Sequence, residues 1–405
     1  MTALGVISLH TSPLIQPGTG DSGGMNVYVR ELVGSLAHAG VACQVYVRRW
    51  DDGLPEVVDV EPGVRVVHLP AGPSQLAKEK LPAVVDEFAD GLRAHLARHP
   101  VDVLHANYWL SGEVGHQLKH ELDLPLVSTF HTLARVKAST GDPEPQRRID
   151  AETRVVQCSD AITASGAAEV AQLTGLYQAD PTRIEIVPPG VDHAFFSPGS
   201  RRGARRALGI AERIPVLLFV GRIQPLKGLG IAVDALAELK SRHPDAMLVV
   251  VGGPSGVDGE REEARCRALA EELGVAESIR WVSPQPHHVL STYYRAADVV
   301  VMPSRSESFG MVALEAAACG IPVVAAAVGG LRSIVVDGET GRLIDGRDPV
   351  DYAAAVADLL DDATMATAVG NRAAERARGY TWPTVAARLR RVYADLTQRV
   401  PVLCS

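Results

Sequence analysis

Two cations stand five positions apart in the stretch "FVGRIQPLKG", Arg222 and Lys227, directly after an apolar run that ends at Gly221. At the carboxyl edge of a strand, such a pair suits a diphosphate whose negative charge grows as a bond to it breaks. A solvated basic loop is the plainer alternative. Further on, "MPSRSESFGMVALEAAACG" holds Glu307 and Glu315, eight positions apart. Carboxylates accept paired hydrogen bonds from vicinal diols, so this spacing could hold a sugar and a ribose along one nucleotide. Equally, Glu307 could simply favour a helix dipole and Glu315 be an exposed helix residue. The cationic loop upstream tips the balance toward a site.

The first half offers a different kind of candidate. In "HTSPLIQPGTGDSGGMNVYVRELVGSLAHAG", His10 to Gly40, four glycines (Gly18, Gly20, Gly23, Gly24) fall between an apolar strand and a helical pattern. Such a turn gathers backbone N–H groups at a helix start, where an anion or polyol can bind. It has neither the GK[ST] ending of a P-loop nor the G-x-G-x-x-G spacing of a dinucleotide site. A mere turn is the alternative, but His10, Asp21, Ser22 and Asn26 make the segment polar. Polar residues also end strands at His105, Asn107 and Tyr108, and again at His131 and Thr132. Lys78, Arg147 and Arg148 add cations that suit an anionic acceptor, or a charged helix face. Only 6 of the 40 basic residues are Lys, so a Lys within a loop motif draws notice as a compact point charge.

These groups need strands to carry them. Short apolar runs alternate with helical patterns throughout, which predicts parallel α/β architecture. In the first half the strands are "LGVISLH", "ACQVYVR", "VRVVHL", "DVLHAN", "PLVSTF", "AITAS" and "IEIVPPG". Asp192 to Arg206 reads as a linker, and "PVLLFVG", "AMLVVVGG", "IRWVS", "DVVVMP" and "PVVAAAVGG" follow it. The expectation is two doubly wound, Rossmann-like domains, residues 1–195 and 196–379, with a cleft at the carboxyl ends of their strands. The tail after 380 shows Val385, Leu389, Val392, Tyr393 and Leu396 on one helical face and should pack back on the first domain.

Composition narrows the classes. A length of 405 residues favours more than one domain, and a net charge of −8 argues against a general nucleic-acid binder. No apolar run is long enough to span a bilayer, and no signal segment precedes the first strand, so a cytoplasmic protein is expected. Five scattered cysteines without CxxC spacing predict a reduced chain with neither disulfide nor zinc site. A nicotinamide oxidoreductase would need the dinucleotide fingerprint that is missing. A secreted sugar-binding protein would need a signal segment, and would not need the cations and glutamates together.

Taken together, "GRIQPLKG" and the E-x7-E of "ESFGMVALE" resemble the retaining family-4 glycosyltransferases with the GT-B fold. "HTSPLIQPGTGDSGGMNVYV", "HANYWLSGEVG", "FHTLARVK" and "AGP…KEKLP" resemble the branch of that family acting in mycothiol biosynthesis. The resemblance implies a UDP-sugar donor, UDP-N-acetylglucosamine, and a phosphorylated cyclitol acceptor, 1D-myo-inositol 3-phosphate. Another nucleotide sugar, or another cyclitol or aminocyclitol, is the alternative within the family. It also implies roles. Lys78, Tyr108, Thr132 and Arg147 would hold the acceptor phosphate, and Asp21, Ser22, Gly23, Gly24, Met25 and Asn26 would line the acceptor ring. His10 would lie between the substrates, with Gln16, Pro17 and Gly24 on the donor. Arg222 and Lys227 would take the diphosphate, Glu307 the sugar and Glu315 the ribose. His131, Arg222, Lys227 and Glu307 are the catalytic candidates. Asn107 and Gln285 depart from the pattern, standing where relatives often have His and Arg. No cofactor is implied for catalysis. A structural magnesium ion at Tyr294, Arg295 and Ala297 is a further implication, and a homodimer is left open. No nucleic-acid partner and no membrane span are expected.

Overall fold

The computed structural model describes residues 3–18 and 22–402. The chain divides into two compact units: Met1–Ile15, Met25–Pro188 and Trp382–Ser405 make the first, Gln16–Gly24 and Pro189–Thr381 the second. The division therefore falls after Pro188 rather than at 195, and the glycine-bearing segment Gln16–Gly24 groups with the second unit.

Among the described residues of the first unit, eight strands form one sheet. They are β1 (Ala3–Ile7), β2 (Ala42–Arg48), β3 (Val57–Glu61), β4 (Val64–Leu69), β5 (Val103–Asn107), β6 (Leu126–Thr129), β7 (Ala161–Ala164) and β8 (Ile184–Ile186). Their order is β3-β4-β2-β1-β5-β6-β7-β8, and only β3 pairs antiparallel, with β4. β3 is the strand that the sequence reading lacks. No residue of "VVDVE" is fully buried, so it carries none of the continuous apolar signal of a strand covered on both faces. The helix Trp382–Leu396 buries Trp382, Val385, Leu389, Tyr393 and Leu396. It docks on the first unit through Trp382, edge-on to Tyr28 at 5.7 Å, and Tyr393, whose hydroxyl is 2.6 Å from His105 Nδ1.

The second unit holds β9 (Val216–Val220), β10 (Met247–Val251), β11 (Ile279–Val282), β12 (Val299–Met302), β13 (Val323–Ala326) and β14 (Gly341–Ile344), ordered β11-β10-β9-β12-β13-β14. Successive residues on a strand point to opposite faces, and the packing follows. Val216, Leu218, Val249, Val251, Val300 and Met302 enter one core, while Leu217, Phe219, Leu248, Val250, Val299 and Val301 enter the other. β14 was not among the expected strands; only its first residue is fully buried. The expected linker also ends too late. Arg201–Ala207 is a helix, capped by Ser200, whose Oγ accepts from Gly203 N at 3.0 Å.

Cys43, Cys266 and Cys319 are free and buried. Cys158 is disulfide-bonded, which corrects the expectation of a wholly reduced chain. Sequence spacing detects only thiols that are close along the chain, and the fifth cysteine, Cys404, lies outside the described residues. No helix among the described residues is long and apolar enough to cross a membrane.

Candidate active site

In the second unit, β9 ends at Val220, Gly221 and Arg222 follow it directly, and one 3-10 turn, Pro225–Lys227, comes next. Gly228 closes that turn with a φ of +73°, and a Cβ there would lie 2.2 Å from Pro303 O. Only glycine lets the loop press against the exit of β12. The closure brings Lys227 Nζ to 2.7 Å from Glu307 Oε2, with both side chains mostly buried. Glu307 is held from behind as well. Its carbonyl accepts from Gly330 N at 2.9 Å, and a Cβ on Gly329 (φ +46°) would come within 2.1 Å of that oxygen.

Glu315 is not an exposed helix residue but 4% accessible. Its Oε2 accepts from Tyr294 Oη at 2.6 Å and its Oε1 lies 2.9 Å from His287 Nε2. Burial first, then the Glu315 charge, lifts the Tyr294 phenol well above its ordinary value, so it stays a donor. Arg222 reaches Ser255 Oγ at 3.5 Å, and a Cβ on Gly23 would lie 3.1 Å from its Nε. Gln16 Nε2 donates to Pro284 O at 3.1 Å, Gly18 N donates to Ser22 O at 2.9 Å, Ser22 is buried, Pro17 is half-buried and Gly24 is exposed. The donor-side candidates Arg222, Lys227, Glu307, Glu315, Gln16, Pro17 and Gly24 thus all belong to one unit. Asp21 lies outside the described residues.

In the first unit, separate segments gather on the Tyr108 ring. Tyr108 has a φ of +75°, a costly conformation for a bulky residue, fixed by its N–H donating to Thr129 O at 2.8 Å. His10 stacks at 4.3 Å between centroids, Lys78 Nζ lies 5.8 Å from the centroid and Arg148 Cζ 5.0 Å. Arg148 also donates to Thr132 Oγ1 at 2.9 Å and to Thr132 O at 3.0 Å. It is buried against Glu152 (2.7 Å) and Glu144 (3.0 Å). Arg147 donates to Pro82 O at 2.8 Å, in the same 3-10 helix that starts at Lys78, and keeps about half its surface. Of the four expected phosphate ligands, Lys78 and Tyr108 are in contact and Thr132 joins them through Arg148, whereas Arg147 reaches only the Pro82 turn and Glu113. Nothing in the sequence distinguishes the two adjacent arginines except the i, i+4 spacing of Arg148 to Glu144 and Glu152.

His131 has a φ of +60° and its Nε2 lies 2.9 Å from Asn107 Oδ1. With the amide oxygen as acceptor, Nε2 carries the proton and Nδ1 is left as an acceptor. Burial, and next the neighbouring His105, push the imidazole down to about 3, so it is neutral at pH 7. Asn26 is buried, its Nδ2 donating to Thr11 Oγ1 and Ser12 O at 2.6 Å. Those bonds fix the chain ahead of the glycine loop. Met25 is half-buried in the first turn of its helix.

Near the magnesium position that the resemblance implies, at Tyr294, Arg295 and Ala297, several oxygens already have donors. Arg295 already places a guanidinium on Ser197 O (2.9 Å) and Phe195 O (2.5 Å). The neighbouring carboxylate, Asp298, is taken by Arg201 (2.5 Å) and Arg205 (2.6 Å). A hard dication wants carboxylate and carbonyl oxygens free of such competitors.

Comparison with known proteins gives the family. Residues 200–376 match the family "Glycosyl transferases group 1", and residues 23–190 match "Glycosyl transferase 4-like domain". The chain is 46% identical to D-inositol 3-phosphate glycosyltransferase 2 of Catenulispora acidiphila, over 96% of this chain and 94% of that one. It is 48% identical to D-inositol 3-phosphate glycosyltransferase of Geodermatophilus obscurus, over 93% and 85%. Among solved structures it is similar to sucrose-phosphate synthase of Thermosynechococcus elongatus, with 32% identity, a TM-score of 0.92 and coverage of 98% and 100%. Anabaena HepE, in complex with UDP-glucose, shares the fold at 19% identity, a TM-score of 0.77 and coverage of 98% and 100%. The chain belongs to the group 1, family-4-like glycosyltransferases of GT-B fold, and it is an enzyme of that class. The oxidoreductase alternative falls with that assignment.

Proposed function

We propose that the enzyme transfers N-acetylglucosamine from UDP-N-acetylglucosamine to 1D-myo-inositol 3-phosphate, with retention, in the cytoplasm. The convergence of Lys78 and Arg148 on the Tyr108 ring, with Thr132 bonded to Arg148 and Arg147 on the turn that starts at Lys78, carries this reading. Cations brought from distant segments to one ring have a common anion as their rationale, and Tyr108 and Thr132 hydroxyls complete its shell. The names of the relatives support the same acceptor.

In the reaction, the bond from the sugar C1 to the β-phosphate oxygen breaks, and its electron pair leaves with the phosphate. The bond from C1 to the acceptor hydroxyl oxygen forms on the same face, and the hydroxyl proton passes to the departing phosphate oxygen. Lys227 and Arg222 stabilise the charge that grows there. Glu307, already neutralised by Lys227, accepts hydrogen bonds from the sugar hydroxyls, and Glu315, held by Tyr294 and His287, accepts from the ribose. Transfer uses no added divalent ion, as no step requires one.

UDP release should be measured with several UDP-sugars against inositol 3-phosphate, inositol and a hexose phosphate, with and without EDTA. NMR of the product's anomeric proton reads the stereochemistry. The reading expects UDP-N-acetylglucosamine and inositol 3-phosphate to give the highest kcat/KM, an α-linked product, and no loss with EDTA. Equal rates with inositol and its 3-phosphate, or a preference for the hexose phosphate, would remove this acceptor.

A further inference from the structure

The two helices that carry the acceptor cluster also meet at their other ends. Tyr108 immediately precedes the helix Trp109–Leu122, and Arg147 and Arg148 lie in the first turn of the helix Gln146–Cys158. These helices pack closely: a Cβ on Gly112 would lie 2.9 Å from Val155 Cγ1. One and two turns beyond Gly112 come His116 and His120, four residues apart and so on one helical face. Cys158 is the last residue of the other helix. The ligating atoms of these three residues lie within 4.8 Å of one another, and His120 Nε2 is 3.2 Å from Cys158 Sγ.

In the present structure Cys158 is disulfide-bonded, and a disulfide sulfur offers no thiolate. We propose that, once Cys158 is reduced, His116, His120 and Cys158 bind a zinc-class divalent ion through two imidazoles and one thiolate. Bond lengths of about 2.0–2.1 Å to nitrogen and 2.3 Å to sulfur put tetrahedral N and S ligands roughly 3.5 Å apart. The His120–Cys158 pair is already near that value, and the imidazoles of half-buried His116 and exposed His120 can close the rest by side-chain rotation. Nearby charges do not stand in the way. Lys119 is held by Asp160 at 2.7 Å, and Arg154 by Glu113 at 3.2 Å. Soft thiolate with imidazole selects zinc over magnesium or calcium. The ion and the disulfide compete for one sulfur, and only the ion would tie together the two helices that begin at Trp109 and at Gln146. The sequence gives no sign of the set, because the cysteine lies on a different helix from the histidines.

The test uses the untagged full-length protein, reduced with a phosphine and desalted without oxygen. The reductant is oxidised to its oxide as the disulfide takes up two electrons and two protons. Titration with cobalt(II) should give one tetrahedral site per chain, with visible d–d bands and a near-ultraviolet thiolate charge-transfer band. Competition with zinc should displace it. Cys158→Ser should abolish the thiolate band, and His116→Ala and His120→Ala should each weaken zinc binding at least tenfold, while Cys266→Ser should change nothing. Zinc should also raise the melting temperature of the reduced wild type but not of the two histidine variants. Cobalt bound without a thiolate band, or a spectrum surviving in the oxidised protein or in either histidine variant, would overturn the proposal.

Discussion

The donor-side residues and the acceptor cluster solve different problems with different materials. In the second unit, each carboxylate is held before any ligand arrives: Lys227 pairs with Glu307, and Tyr294 with His287 holds Glu315. In the first unit, cations are collected around the Tyr108 ring, and Arg148 is matched there by Glu152 and Glu144. The first arrangement keeps a reactive constellation rigid, which matters where stabilisation must be strongest in the transition state. The second sets cationic and hydroxyl donors around one ring, an arrangement that favours an anionic ligand over a neutral one.

If Arg148 is the framework of the acceptor cluster, its loss should register in stability more than in binding alone. Arg148→Ala leaves Glu152, fully buried, without its cation, while Glu144 keeps Lys137. Breaking a buried pair from one side costs about 3–5 kcal/mol, to be read from urea unfolding. A change below about 1 kcal/mol would mean that Glu152 finds other partners and that Arg148 is only another ligand.

On the donor side the signature should be kinetic. Lys227→Ala and Arg222→Ala should fold normally by circular dichroism yet lose kcat by on the order of a hundredfold or more. Turnover within a few-fold of wild type in either variant would place the departing diphosphate elsewhere.

A pH experiment sharpens the contrast between units. Burial pushes His105, fully inaccessible between Tyr393 and Thr129, down to about 3. Above pH 6.5 the imidazole is neutral folded or unfolded and its contribution is complete. As pH falls from 6.5 toward 3, the unfolded chain takes a proton that the folded one refuses. Stability then drops by up to about 1.4 kcal/mol per pH unit. His131 shifts in the same direction. Denaturant titrations at pH 7 and pH 5 should show a smaller drop in His105→Gln than in wild type, and equal drops would remove His105 from the account.

Tyr294→Phe separates holding a carboxylate from binding a ligand. The variant keeps the ring and deletes one donor to buried Glu315, a loss of about 1–2 kcal/mol. The KM for the UDP-sugar should rise roughly tenfold, with kcat and the acceptor KM nearly unchanged. An effect on kcat alone would tie Glu315 to the chemical step instead of the ribose.

The contrast also explains what could be read from the chain alone. Arg222 and Lys227 share one loop, and Glu307 and Glu315 share one loop and helix. Local spacing therefore carries the donor side, and continuous apolar runs carry most of the strands. The pairings that tune those residues were hidden. Tyr294 and His287 lie on the helix His287–Ala296, and Gly329 acts by admitting the Glu307 carbonyl at a distance no side chain allows. On the acceptor side, Lys78, Tyr108 and Thr132 could be chosen through resemblance, whereas the choice between Arg147 and Arg148 depends on which way one helix faces. β3 and β14 escaped because edge strands with little burial lack the apolar run that marks their neighbours.

That ambiguity sets up the subtlest comparison, between the two adjacent arginines. Arg147 keeps about half its side chain in solvent and is tied by Pro82 O at 2.8 Å and, more loosely, by Glu113 at 3.8 Å. Removing it strands no buried carboxylate, so Arg147→Ala should leave the unfolding free energy within about 0.5 kcal/mol of wild type. If the residue closes on the acceptor phosphate, the KM for inositol 3-phosphate should rise about tenfold, the worth of one charge-assisted hydrogen bond. The donor KM should not move, and the preference for phosphorylated over bare inositol should shrink by the same factor. Arg147→Lys should recover part of the loss, because a point charge is kept while the planar fork is not. An unchanged acceptor KM in Arg147→Ala would leave Lys78 and the Tyr108 and Thr132 hydroxyls as the anion's partners, with Arg147 a surface tie to the Pro82 carbonyl.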